Sequence, residues 1–217
     1  MRQQPDAANF FNGFAETFDT IYDAKRNLFM RWVDCTFRSD MFIRFALTFE
    51  SLGDLRGKSI LDIGCGSGPY VIEALNRGAR RVTAVDPAPN MLALLRKRLE
   101  DNGYENRCSL LTGMFPRIEV EPHDHAIVMG VLDYVEDAGP FLTVLLPLIR
   151  VSAVISFPSI HWFRTPLRKV RYWLRQCPVY FYTEDKIRHL CSDAGFKEIS
   201  IYKIPGAGMD YHVCLTP

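Results

Sequence analysis

The stretch Ser59-Ile-Leu-Asp-Ile-Gly-Cys-Gly-Ser-Gly68 constrains the chain more than any other. A short apolar run enters three glycines spaced G-x-G-x-G, and a helical pattern begins at Pro69. Glycines at a strand-to-helix turn let the backbone bend sharply and approach a ligand with no Cβ in the way. The following helix aims its free N–H groups and positive dipole end at the same spot. Such a cradle belongs at the carboxyl edge of a parallel sheet, where nucleotide-type ligands bind.

The downstream pattern supplies that sheet. Val82–Asp86, Ser109–Thr112, Ala126–Gly130 and Val151–Phe157 read as further strands. Helical patterns separate them over Asn90–Asn102, ended by Gly103, and over Pro140 to about Ile149, where Pro147 predicts a kink or an early end. Repeated β-α units with apolar strands predict an α/β domain whose mostly parallel sheet is covered on both faces. Thr183 is placed to cap a later helix that Gly195 ends. Phe196–Ile204 and Tyr211–Leu215 close the chain as strands joined by Pro205-Gly-Ala-Gly208. That link is too short for a parallel crossover, so the last strand should run antiparallel.

Two regions depart from this rhythm. Residues 1–53 carry Phe10, Phe14, Phe18, Ile21, Tyr22, Phe29, Trp32, Val33 and Phe37 at helical spacing. They read as two or three helices forming an N-terminal lid on the domain over residues 54–217. Residues 160–182 form an insert in which Arg164, Arg168, Lys169, Arg171 and Arg175 alternate with Trp162, Phe163, Tyr172 and Trp173. This is either an amphipathic helix with a solvated basic face or a second lid whose aromatics cover a flat substrate. Weak contact with a membrane surface is a third reading.

Composition narrows the functional class. With 26 Lys and Arg against 25 Asp and Glu, the net charge of +1 creates no field that favours nucleic acid. The six cysteines are scattered without metal-ligand spacing, so no metal site is expected and reduced cytoplasmic thiols are the simplest reading. The apolar run Phe141–Ile149 is too short to span a bilayer.

Asp62 lies just before the glycines, and Asp86 ends the second strand 18 residues after Gly68, where a carboxylate can accept both ribose hydroxyls of a nucleoside. Pro69 directly follows the third glycine, so the motif is not the G-x-G-x-x-G that dinucleotide binders use for pyrophosphate.

Together, Leu61-Asp-Ile-Gly-Cys-Gly-Ser-Gly68, Val82-Thr-Ala-Val-Asp-Pro87 and Asp124-His-Ala-Ile-Val-Met-Gly-Val-Leu-Asp-Tyr-Val-Glu-Asp137 resemble the class I S-adenosylmethionine-dependent methyltransferases. The resemblance covers roughly residues 55–215. It implies a Rossmann-like seven-stranded sheet ordered 3-2-1-4-5-7-6, with strand 7 antiparallel. It also implies that Gly64, Cys65, Gly66 and Gly68 cradle the methionine portion of S-adenosyl-L-methionine (product S-adenosyl-L-homocysteine), with Asp62 near its amino group. Asp86 would hold the ribose, Pro87 and Met91 would lie along the adenine, and backbone around Met129 would meet the methionine tail. Tyr22 resembles a lid tyrosine that touches the donor in many small-molecule members. Two departures stand out. Gly113-Met114 replaces a frequent Gly-Asp after strand 3, leaving backbone to receive the adenine amino group. Ile149-Arg-Val-Ser152 replaces the usual Pro-Gly-Gly before strand 5, and with Phe157–Pro166 it resembles the magnesium-protoporphyrin O-methyltransferase branch.

Methyl transfer needs mainly alignment of nucleophile, carbon and sulfur, with a base only for a protonated acceptor. His161 follows strand 5 at the correct edge and is the first candidate, with His212 and Tyr134 behind it, and Asp133 as an orienting group. His123 and His125 precede strand 4 at the wrong edge and His189 sits within a helix, so all three read as structural. The leading expectation is transfer to oxygen or nitrogen of a small molecule. The alternatives are a macromolecular methyltransferase on protein or RNA, and a non-catalytic protein that binds the donor.

Overall fold

The computed structural model describes residues 41–159, 179–204 and 210–217. Residues 41–52 are helical (α1), and β1 (Ser59–Ile63) follows. Then come α2 (Pro69–Asn76), β2 (Arg81–Asp86), α3 (Pro89–Asp101), β3 (Cys108–Thr112) and β4 (His123–Val128). The chain closes with α4 (Ala138–Leu145), β5 (Ile149–Phe157), α5 (Glu184–Asp193), β6 (Glu198–Lys203) and β7 (Tyr211–Thr216).

The seven strands form one sheet in the order β3-β2-β1-β4-β5-β7-β6. β1 pairs in parallel with β2 and with β4, and β7 runs antiparallel to both β5 and β6. This is the expected topology. It places the ends of β1, β2 and β4 side by side, on either side of the point where the strand order reverses.

Two apolar layers cover the sheet, and strand alternation assigns side chains to them. Ile60, Ala84, Ile127 and Val154 pack against Phe49 and Leu52 of α1, Val71 and Leu75 of α2, and Leu92, Leu95 and Leu99 of α3. Leu61, Ile63, Val128 and Ile155 pack instead against Phe141 and Leu145 of α4 and Ile187 and Cys191 of α5. α1 joins its layer through rings: Phe49 lies 6.0 Å from Tyr70 in a stacked arrangement, and Phe45 lies 5.0 Å from Phe49. Burying Phe49 alone contributes about 2–3 kcal/mol.

Several boundaries shift from the expected ones. β4 begins at His123, so His123 and His125 lie within the strand rather than before it, still at the edge away from the glycine loop. His123 Nδ1 donates to the Glu121 carbonyl at 2.6 Å, leaving Nε2 to accept from Thr83 Oγ1 at 2.8 Å. Those bonds let polar residues sit inside a strand that hydropathy alone starts later. β5 likewise begins at Ile149, directly after a 3-10 turn over Leu146–Leu148 that contains Pro147. Thr183 caps α5 as expected, its Oγ1 accepting from Lys186 N at 3.3 Å. Of the two regions expected to form lids, the structure describes only the end of each. Tyr182 is buried, its N–H donates to the Pro158 carbonyl and its hydroxyl to the Val135 carbonyl at 2.9 Å, so the close of the insert is stitched to the ends of β4 and β5.

Candidate functional site

The glycine loop after β1 is held from three sides. Gly64 N–H and Cys65 N–H both donate to the Val85 carbonyl, at 2.7 and 3.1 Å, and Gly68 N–H donates back to the Cys65 carbonyl at 2.9 Å. All three glycines have positive φ (73°, 53° and 82°). Their surroundings differ. A Cβ on Gly64 would collide with Val131, and one on Gly68 would fall inside Leu95, so the outer glycines let the loop pack against its neighbours. A Cβ on Gly66 would meet nothing within 4 Å. Gly66 faces the open side of the loop, where a ligand would come.

Asp86 ties β2 to this loop. Its Oδ2 accepts from Gly66 N–H at 2.9 Å and its Oδ1 from Ala88 N–H at 2.8 Å. Burial raises its pKa, against the downward pull of those two N–H groups. Each oxygen retains acceptor capacity for a hydroxyl. Asp62, one residue from the end of β1, is 1% exposed, and its Oδ2 has no hydrogen-bond partner. Burial first and the nearby Asp86 second push its carboxyl up to about 8. A buried carboxyl in this condition is stabilised by a cation or an N–H donor brought to it. Ala88 and Met91 are buried against partly buried Leu94, giving an apolar patch beside Asp86.

The other expected donor contacts fall around the same edge. Pro87 follows Asp86 directly and is half-buried. Gly113 N–H donates to the Asp86 carbonyl at 3.1 Å, bringing the end of β3 alongside, while Met114 is 38% exposed. Met129 is buried under α1, where its Sδ accepts from Thr48 Oγ1 at 3.9 Å. The next residue, Gly130, donates its N–H to Ser156 Oγ at 2.8 Å, locking the β4 exit to β5. Tyr134 lies in a 3-10 turn over Leu132–Tyr134 just past β4. His212 is 1% exposed on β7, opposite Ser156 and against α1. Its Nε2 pairs with Ser51 Oγ at 3.0 Å, its Nδ1 has no partner, and burial, aided by the Arg44 charge, lowers its pKa to about 4. Tyr22 and His161 lie outside the described residues. Among the described residues no group of His, Cys, Asp or Glu could hold a metal ion.

The edge also contains residues that motif reading passes over. Arg44 of α1 reaches Asp210, just before β7, at 3.9 Å, and its charge interacts with Tyr70 and Asp133. Its Nε is buried without a partner, as is Ser159 Oγ beyond β5. The four buried, unpartnered side-chain atoms found among the described residues lie on Arg44 of α1, Asp62 near the end of β1, Ser159 beyond β5 and His212 near the start of β7. No short-range pattern marks Arg44 or Tyr70 in advance, because their partners are far away in sequence.

Residues 60–150 match the family model described as a methyltransferase domain. Over those residues the chain is similar to methyltransferase domains. The resemblance read from the three sequence motifs is thereby borne out, and S-adenosylmethionine is the donor that goes with such a domain. The domain is similar to a tRNA U34 carboxymethyltransferase of Idiomarina loihiensis, 32% identical over 62% of this chain and 42% of that protein. It is also similar to a ubiquinone biosynthesis O-methyltransferase of a Bradyrhizobium species, 30% identical over 62% of this chain and 54% of that one. The chain thus spans about half the length of the curated relatives it matches. In fold it resembles the magnesium protoporphyrin IX methyltransferase of Synechocystis PCC 6803 with bound SAH, at a TM-score of 0.72 and 23% identity, over 96% of this chain and 95% of that one. The methyltransferase domain's donor fits what the loop presents: an open Gly66, an unpartnered Asp62 oxygen, and an apolar patch next to Asp86.

Proposed function

We propose that this protein is an S-adenosylmethionine-dependent methyltransferase acting on oxygen or nitrogen of a small molecule. The observation that carries the reading is the buried, partnerless Oδ2 of Asp62 beside the open face of Gly66. That carboxyl calls for a cationic or N–H group at the one place where the loop leaves room for a ligand. When bound, the donor supplies a methyl already activated by its sulfonium. Asp62 then receives the amino group of the methionine portion, and the backbone at Gly64–Gly68 lines it. Asp86 accepts from ribose hydroxyls, and Pro87, Met91, Gly113 and Met114 border the base. Met129 and Gly130 close the site under α1, which keeps water out and fixes the donor's orientation. Tyr134, just past β4, is the group placed to take an acceptor proton, and His161, which follows β5 in sequence, is the other candidate. His212, sealed under α1 and held by Ser51, seats that helix.

A small acceptor is supported by the balanced charge of +1 and by the likeness to the magnesium protoporphyrin enzyme, which runs through nearly the whole of both chains. The tRNA-acting relative favours a second reading, a macromolecular acceptor. Residues 1–53 and the 160–182 insert are proposed as the lids that enclose the acceptor. Labelled methyl from S-adenosylmethionine, incubated with the protein and a cell extract, should appear in the small-molecule fraction. Label in RNA or protein would support the second reading, and no label in any fraction would sink both.

A further inference from the structure

The glycine loop has a back as well as an open face, and the back is held by one residue that no motif contains. Ser67, between Gly66 and Gly68, is 1% exposed and turned toward α3. Arg98, nine residues into that helix, donates from one Nη1 to the Ser67 carbonyl at 3.1 Å and to the Ser67 hydroxyl at 3.2 Å. Helical side chains tilt back toward the helix N-terminus, so the long Arg98 arm runs up from the lower part of α3 to the carboxyl edge. The Ser67–Gly68 peptide is then pinned at both ends. Its carbonyl goes to Arg98, and its N–H, on Gly68, goes to the Cys65 carbonyl at 2.9 Å. Leu95, one turn earlier on α3, packs where a Gly68 side chain would otherwise stand. The loop's remaining N–H bonds run to β2, through Val85 and Asp86.

We propose that Arg98 is a positioning residue for the methyl donor: it fixes the Ser67–Gly68 peptide from behind and thereby sets the ligand-facing shape of the Gly64–Gly68 loop. This rests on the reading of that loop as the donor's cradle and goes beyond it. A left-handed glycine turn is a soft element, since each glycine can relax to other conformations. A guanidinium donating to both oxygens of one serine removes that freedom, and charge-assisted bonds of this kind are the stronger ones. Arg98 bonds the loop through the buried Ser67. Its loss should therefore act on binding of the donor rather than on the chemical step.

The test is calorimetric titration of S-adenosyl-L-homocysteine into wild type, Arg98→Gln, Arg98→Lys and Ser67→Ala, with thermal melts and donor-saturation kinetics alongside. Arg98→Gln should weaken binding about tenfold, the size expected for one charge-assisted bond. Arg98→Lys, which keeps one donor to the carbonyl, should recover part of the loss, and Ser67→Ala should fall between Lys and wild type. The KM for the donor should rise in step, with kcat at saturating donor within about twofold of wild type. Unchanged affinity in folded Arg98→Gln, or a fall in kcat with affinity intact, would overturn the proposal while leaving the methyltransferase reading standing. If Arg98→Gln does not fold, wild-type affinity in Arg98→Lys together with Ser67→Ala overturns it equally. A wild type that takes up no S-adenosyl-L-homocysteine would overturn this proposal and the donor-binding reading together.

Discussion

At the scale of single residues, Asp62 is the position where function and stability oppose each other. Its folded pKa of about 8 lies above its unfolded value, so the folded state keeps a proton that the unfolded chain releases. Stability from this group is full below about pH 4 and is lost as pH rises toward 8, a cost on the order of 5 kcal/mol above that. Asp62→Asn removes the slope. Urea unfolding at pH 6 and pH 9 should show the variant losing less stability than wild type over that interval, while its affinity for S-adenosyl-L-homocysteine drops. Equal slopes in the two proteins would mean that Asp62 is already ionised in the fold. The glycines make a second contrast. Gly68→Ala meets both an unfavourable φ of 82° and the Leu95 side chain, so it should cost more than about 2 kcal/mol. Gly66→Ala has open space and only its φ of 53° to overcome, about 1 kcal/mol, yet it puts a methyl where the ligand goes. Gly66→Ala should be the more stable of the two in a melt and should bind donor markedly more weakly than wild type; wild-type affinity in Gly66→Ala would place the ligand elsewhere.

At the scale of elements, α1 is fastened to the sheet through a buried histidine that acid charges at a cost. His212 on β7 holds Ser51 of α1 and faces Arg44 from the same helix, and its folded pKa of about 4 lies below the unfolded value. For a base with a lowered pKa, the unfolded chain takes up the proton first. The stability from His212 is therefore full above about pH 6.5 and lost as pH falls to about 4, by about 3 kcal/mol. His123 and His125, also shifted down by burial, add to the same acid limb. Urea midpoints between pH 7 and 4 should fall less in His212→Gln than in wild type, and an identical fall would assign the acid sensitivity to other groups. The elements themselves were largely legible in the sequence. Apolar strands buried on both faces and a short link before β7 were enough to read a mostly parallel sheet with an antiparallel last strand, while the strand order followed from the resemblance carried by the three motifs. The start of β4 was not, because His123 and His125 are polar in hydropathy but satisfied by Thr83, Glu121 and Ser152. The site divides in the same way. Asp62, the glycines and Asp86 stand close in sequence and carry a recognisable spacing. Arg98, Arg44 and Ser51 work through partners 31 or more residues away, which no local pattern reveals.

At the scale of the whole molecule, the two apolar layers have different tasks. The layer with α4 and α5 packs Leu61, Ile63, Val128 and Ile155 and holds the far half of the sheet. The layer with α1, α2 and α3 packs the same strands from the other side and contributes Gly68, Tyr70, Met91, Arg98 and Thr48 around the glycine loop. The loop after β1 takes its shape from both layers at once, through Val131 and through Leu95, so the cradle is built by the fold as a whole. Equilibrium binding of S-adenosyl-L-homocysteine to the full chain, compared side by side with NAD, tests this central claim most directly. One saturable site for S-adenosyl-L-homocysteine is expected, weakened when Asp86 is replaced by Ala, with no comparable uptake of NAD. Binding of NAD more tightly than S-adenosyl-L-homocysteine, or an Asp86→Ala variant that folds and binds like wild type, would contradict it.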